Sequence, residues 1–289
     1  MILFDLSGVA SFNRSMLELD LLSPTIGAEV RGVDLADTLD DKTVLQLTEA
    51  LVEHKVLFFR DQHITQAQHI AFAARFGALE VHPFSPHREG FPEIMVLSHG
   101  EAKMPVGSIG ENVWHSDVTW REIPSMASVL RAVVVPEIGG DTLWADMYAA
   151  FEGLSDRLQR YVDGMTALHD FMPSFGPFIP KDKWAEMRER FPVVEHPVVR
   201  VHPATGRKLL FVNRSFTTQI VGLPREESDA LLSYLFAQAA RPEYQCRFRW
   251  RKDSIAMWDN RATQHYAVKD YWPQQRTMER VTIIGDRPV

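Results

Sequence analysis

His115 and Asp117 stand two apart in the run Asn112-Val113-Trp114-His115-Ser116-Asp117-Val118-Thr119-Trp120. On an extended strand, residues two apart project from the same face, so one imidazole and one carboxylate would stand side by side. Such a pair, joined by one more distant histidine, makes a facial triad of two histidines and one carboxylate. That set occupies one face of an octahedral iron(II) ion and leaves the opposite face open to substrates and O2. His265, in Trp258-Asp259-Asn260-Arg261-Ala262-Thr263-Gln264-His265, is a candidate third ligand. Its distance along the chain suits two strands brought together by a sheet. A histidine two residues from an aspartate is a weak signal by itself, since most such pairs are surface turns or hydrogen-bonded neighbours. Cys246 is the single cysteine, so a metal here would be held by histidine and carboxylate rather than thiolates.

The elements that must position these groups are short. Gly27 to Leu35 alternates like a strand, and Val56-Leu57-Phe58-Phe59 is a compact apolar one. Between them, Val44, Leu47, Leu51 and Val52 recur at helical spacing behind a capping Asp40 or Asp41. Thr65 caps a second helix that Gly77 stops. Further strands are expected at Ile94 to Leu97, Ser125 to Val135, Gln245 to Trp250, Ser254 to Trp258 and Arg280 to Gly285. A hairpin is expected over Val198 to Val212, and helices over Met147 to Val162, Lys181 to Arg190 and after Pro224. Many short strands with helices inserted in blocks predict a mainly β fold with α cover, a sandwich or jelly roll, rather than a doubly wound sheet. No linker composition divides the chain. It reads as one domain over residues 1–289, with residues 1–22 a loose N-terminal extension.

Composition narrows the function classes. The 289 residues carry 31 Lys plus Arg against 38 Asp plus Glu, a formal charge of −7, with no basic run. That excludes an electrostatic footprint for nucleic acid. Any anion must meet a local cluster of arginines. No apolar stretch is long enough for a transmembrane helix, and the N-terminus lacks the pattern of a signal peptide. With one cysteine, a cytoplasmic protein is expected.

The blocks WHSDVTW, PEIGGDTLW, HPVVRVHPATG, WDNRATQH and RTMERVTIIGD follow one another from about Gly27 to Pro288. Together they resemble the TauD/TfdA family of Fe(II)/2-oxoglutarate-dependent dioxygenases. The resemblance implies a double-stranded β-helix (jelly roll) core with inserted helices. It implies His115, Asp117 and His265 as iron ligands and 2-oxoglutarate as co-substrate. Arg276 would grip the distal carboxylate of 2-oxoglutarate, with the Thr142 hydroxyl beside it. Arg280 would hold the anionic head of a small organosulfur substrate and His82 would be its second polar contact. Phe175 and Phe216 would wall the pocket, with Val118 beside the ligand aspartate. The implied reaction consumes O2, releases succinate and CO2, and hydroxylates a substrate carbon. Where that carbon bears a sulfonate, as in taurine, the product collapses to an aldehyde and sulfite. A homodimer or homotetramer is implied as well.

Two departures touch the substrate alone. The family's taurine-cleaving members carry a tyrosine where this chain has Ser85. The stretch Gly107 to Asn112 also differs, leaving Asn112 or Glu111 to meet the amino end of taurine. A related branch oxidises alkyl sulfates, and a shorter wall at Ser85 would suit a longer or less polar chain. Another anionic substrate, such as an aryloxy acid, is the further alternative within the family. A metal-binding jelly roll without oxygenase activity is the competitor of another class, and the Arg276 clamp counts against it. Bland readings cover the rest. His169, His196 and His202 are structural, most tryptophans are core, Cys246 is a small buried hydrophobe, and Gly139-Gly140 is a turn. Arg261 is open between structural pairing and cofactor binding. Phe84 to Gly90 and Pro173 to Pro180 are candidate closing loops.

Overall fold

The computed structural model describes residues 17–83, 85–99 and 112–289. Two sheets face each other. The larger runs, in spatial order, through Glu18–Leu21, Ala28–Arg31, Val56–Phe59, Ile255–Asp259, Ser125–Val134, Arg276–Ile284, Phe91–His99 and His87–Arg88, with Leu79–Glu80 also pairing on Arg276–Ile284. The smaller is Gln245–Phe248, Thr142–Asp146 and Thr263–Ala267. Neighbouring strands are antiparallel in both, apart from the Ala28–Arg31 and Val56–Phe59 pair.

Period-two alternation sorts the side chains of the large sheet. Leu57, Phe59, Val129, Ile255, Met257, Val281 and Ile283 face outward in one core cluster with Leu47, Leu51, Phe72 and Ala73. The last four belong to the helices Asp41–His54 and Gln66–Ala74. Asp40 caps the first helix by accepting the Thr43 N–H at 2.7 Å. Thr65 and Gln68 form a reciprocal capping box on the second. The alternate set, Val56, Phe58, Leu130, Ala132, Ala256, Trp258 and Met278, faces inward and packs on Trp144, Cys246 and Phe248 of the small sheet. Phe58 stacks on Phe248 with centroids 4.1 Å apart and meets Trp144 edge-on at 5.3 Å. Each such buried aromatic stabilises the sandwich by about 1.5–3 kcal/mol. Inward alternation on Arg276–Ile284 therefore puts Arg276, Met278 and Arg280 on one face, toward the small sheet.

The predicted jelly-roll architecture, mainly β with helical cover, is what the chain adopts. Local differences are informative. Thr142–Asp146 and Thr263–Ala267 are strands that periodicity does not announce, because TLWAD and TQHYA are short and carry polar groups inward. The expected strand through His115 and Asp117 does not form. His115 makes one antiparallel bridge with His265, and Asp117 opens a turn. The last strand starts at Arg276, not Arg280, because pairing with Phe91–His99 extends it. Within the expected N-terminal extension, Glu18–Leu21 is paired with Ala28–Arg31. Residues 1–16 lie outside the described residues. Among the described residues no helix is long and apolar enough to cross a membrane.

Candidate active site

The two segments that carry the triad are laced together. The His115 N–H donates to His265 O at 3.1 Å and the His265 N–H donates to His115 O at 2.8 Å. Ser116 Oγ donates to Thr263 O at 2.7 Å. The Asp117 N–H donates to Asn260 Oδ1 at 2.7 Å, and Asn260 Nδ2 returns a bond to Asp117 O at 3.0 Å. Asp117 is followed by Val118 at φ +48°, a left-handed conformation unusual for a β-branched residue. That turn aims the Asp117 carboxylate back toward the imidazoles, which an uninterrupted strand would have done by alternation.

His115, Asp117 and His265 are buried, and each offers one ligand atom within 4.8 Å of the others. Nε2 of His115 and of His265 lie 3.9 and 4.0 Å from Asp117 Oδ1. His115 Nδ1 lies 2.7 Å from Val113 O. A neutral ring that donates there presents the Nε2 lone pair to the centre of the site. Burial pushes the His265 imidazole down to about 3, aided by His115 and Arg280, so this ring is neutral and able to ligate. Burial alone would raise the Asp117 carboxyl. The Arg280 guanidinium, with His265 and His115, outweighs it and holds the group well below the usual carboxylate range. Two neutral nitrogens and one anionic oxygen around a common point fit a divalent cation of the iron(II) type.

The triad opens into a cavity of about 280 Å3 between the two sheets. Of the residues singled out in the sequence, His82, Val118, Thr142, Phe175, Phe216, Arg276 and Arg280 line it with the triad. Arg280 Nη1 donates to Asp117 Oδ1 at 2.6 Å, and Ser128 Oγ donates to Oδ2 at 3.1 Å. Arg276 is oriented by Nε to Gly140 O at 3.1 Å and by Nη2 toward Thr142 Oγ1 at 3.4 Å. Thr142 Oγ1 accepts from Trp250 Nε1 at 2.9 Å, which leaves the hydroxyl proton for an acceptor such as a carboxylate. Phe175 and Phe216 stack at 6.2 Å, and His115 meets Phe216 edge-on at 6.4 Å. Burial and Arg280 push His82 down to about 3, so it is neutral at the cavity wall.

Asn112 is not brought into the cavity. It lines a separate recess with Trp114, Arg214 and Tyr266. Glu111 and the stretch before it lie outside the described residues, as does Phe84. Pro173 to Pro180, expected as a closing loop, is helix Met172–Phe175 and a 3-10 turn, whose Phe175 and Phe178 wall the cavity. Arg261 resolves as structural pairing, gripping both oxygens of Asp259 at 2.8 and 2.7 Å. His202 joins the same buried carboxylate at 3.0 Å. Sequence reasoning missed Ser128, Met95 and Lys269, which face the site from strands or their ends without any motif, and read Trp258, which opens the WDNRATQH block, as core alone. It also missed what the Gly139-Gly140 turn does. Gly140 has φ +72°, and its carbonyl anchors Arg276.

The chain matches the family described as "Taurine catabolism dioxygenase TauD, TfdA family" over residues 18–282. The chain belongs to the TauD/TfdA family. It is 40% identical over 284 residues to an alpha-ketoglutarate-dependent sulfate ester dioxygenase of Pseudomonas putida, covering 94% of this chain and 92% of that one. It is 38% identical over 280 residues to an alkylsulfatase of Acinetobacter baylyi, covering 93% and 86%. A taurine dioxygenase structure from Burkholderia xenovorans superposes with a TM-score of 0.82 at 41% identity, covering 95% of this chain and 91% of that one. As a TauD/TfdA protein, this chain is an Fe(II)- and 2-oxoglutarate-dependent dioxygenase.

Two measurements test the site as built. Arg280→Ala leaves the buried Asp117 charge unpaired, which is expected to cost the metal-free protein about 3–5 kcal/mol. Saturating Mn(II) should then raise the melting temperature of the variant more than that of the wild type, since the cation replaces the missing charge. An equal or smaller rise would contradict this electrostatic reading. In Gly140→Ala the new Cβ would lie 3.1 Å from Arg276 Cδ in a left-handed conformation. We expect a loss of about 1 kcal/mol or more by chemical denaturation, and weaker 2-oxoglutarate binding by calorimetry.

Proposed function

We propose that the chain oxidises the carbon next to the ester oxygen of an alkyl sulfate, giving an aldehyde and sulfate, with succinate and CO2 from 2-oxoglutarate. The observation that carries this over taurine is the charge and polarity of the cavity wall. Taurine brings an ammonium group as well as a sulfonate. Asp117 is the one acidic residue among the described lining residues, and it already serves His115, His265 and Arg280. Lys269 adds positive charge to the wall, and Asn112 points into another recess. Met95, Leu97, Val118, Leu130, Phe175, Phe178 and Phe216 instead offer apolar surface to an alkyl chain. The names of the two curated relatives support the same reading.

In this reading His115, Asp117 and His265 hold the iron. Bound iron(II) and 2-oxoglutarate supply the activation of O2 that the side chains lack. Arg276 grips the distal carboxylate of 2-oxoglutarate with a planar fork of donors, and Thr142 adds its hydroxyl. Arg280 anchors the sulfate, so that one C–H is held toward the triad. The local field of these arginines outweighs a net charge of −7. Phe175, Phe178 and Phe216 exclude water from the reacting carbon. The hydroxylated product carries hydroxyl and sulfate on one carbon, and it expels sulfate as the carbonyl forms. The family reading also carries an expected cytoplasmic enzyme and a homodimer or homotetramer, the latter addressed by sizing.

The test is a substrate ladder with Fe(II), ascorbate and 2-oxoglutarate, following succinate, sulfate and sulfite. From ethyl to hexyl sulfate, each methylene buried in the cavity should contribute about 0.8 kcal/mol, or about fourfold in kcat/KM. Taurine should be a poor substrate. Sulfite release from taurine at a higher kcat/KM than sulfate release from hexyl sulfate would overturn the assignment. In the same assay Arg276→Ala should raise the KM for 2-oxoglutarate, whereas Arg280→Ala should raise that for the alkyl sulfate.

A further inference from the structure

Asn260 is 1% exposed and lies on the turn between the strands Ile255–Asp259 and Thr263–Ala267. Its amide matches both peptide groups of Asp117. Oδ1 accepts the Asp117 N–H at 2.7 Å while Nδ2 donates to Asp117 O at 3.0 Å. Nδ2 also reaches Ser125 O and Ser125 Oγ, each at 3.1 Å, and the Asn260 N–H donates to Met126 O at 2.8 Å. The amide is thus tied to the strand Ser125–Val134, which also supplies the Ser128 bond to the Asp117 carboxylate. A reciprocal pair of this kind fixes one residue in position and in rotation, because donor and acceptor must both stay aligned. The next residue, Val118, is held at φ +48°. Such a conformation costs on the order of 1–3 kcal/mol and persists only where the surroundings over-determine it.

We propose that Asn260 is a positioning residue of the metal centre, clamping the Asp117 backbone so that the strained Val118 turn keeps the carboxylate aimed at His115 and His265. This rests on the reading of Asp117 as a metal ligand. The competing role is that Asn260 only shapes its own turn, as Thr263 does through Oγ1 to Asp259 O at 2.9 Å.

Mn(II) affinity of the full-length protein, by calorimetry and electron paramagnetic resonance, separates these without any turnover. Outer partners of metal ligands affect affinity by about 10- to 100-fold, and that loss is expected for Asn260→Ala. Asn260→Asp keeps the shape and one acceptor but removes the donor, so it should lose affinity too; a space-filling role would leave it near wild type. Thr263→Val should lower the urea midpoint with Mn(II) binding retained. Should Asn260→Ala alone not fold, adding Val118→Gly removes the left-handed strain while the clamp stays absent. Wild-type Mn(II) affinity in Asn260→Ala, or affinity in the double variant equal to that of Val118→Gly alone, overturns the positioning role only. A wild-type protein that binds no Mn(II) overturns the metal site itself and this proposal with it.

Discussion

A carboxylate buried between two imidazoles, one of them held neutral by burial, is the constraint on which the rest of this structure turns. Asp117 is 4% exposed. Its charge needs a positive partner, because the desolvation of an unpaired carboxylate costs several kcal/mol. Arg280 answers that need at 2.6 Å. A divalent cation held by His115, Asp117 and His265 would answer it as well. The site therefore pairs its buried charge within the protein and also gathers a set of metal ligands. Arg280 lies on the large sheet, Asp117 on a turn and His265 on the small sheet, so this one charge ties together both sides of the sandwich.

The ladder between 115–117 and 260–265 makes that burial possible. Polar backbone inside a protein must find partners, and here each ligand segment supplies them to the other. Two backbone bonds at His115 and His265, the Ser116 hydroxyl and the Asn260 amide leave little freedom in the first ligand segment. The price is the left-handed Val118. Below the turn, Thr119 Oγ1 meets His169 Nδ1 at 3.0 Å and Asn213 Nδ2 at 2.9 Å, so the segment after the triad is fixed as well. His169, bland in the sequence, belongs to this support.

How much of this was legible in the sequence depended on the range of the interaction. Motif spacing offered His115, Asp117 and His265, because a metal demands particular residue types, and the resemblance to the TauD/TfdA family added Arg276 and Arg280. Apolar runs located Val56–Phe59 and most of the large sheet. The small sheet was harder to see, since Thr142–Asp146 and Thr263–Ala267 put a hydroxyl and an imidazole where a core strand would carry valine or leucine. Ser128 was invisible, because a serine on a buried strand carries no local signature of its partner. Asn112 was placed by likeness to taurine-binding relatives, whereas it lines another recess beside Trp114 and Tyr266.

The strand Arg276–Ile284 sets the spacing of the two cavity arginines. Residues four apart on a strand share a face and stand roughly 13 Å apart along it. From that backbone spacing the two guanidiniums reach different partners, Gly140 and Thr142 for Arg276 and Asp117 for Arg280. Met278 lies between them on the same face, in one core cluster with Trp144 and Trp258. Arg276 is fixed by Gly140 and Thr142 from the small sheet, whereas Arg280 is fixed by Asp117. The first arginine is thus oriented by the small sheet and the turn before it, while the second is oriented by Asp117 itself. Exchange of the two side chains between their subsites would need a strand slip of four residues, against the pairing with both neighbouring strands. The order of the two arginines along the cavity is for that reason a property of sheet register.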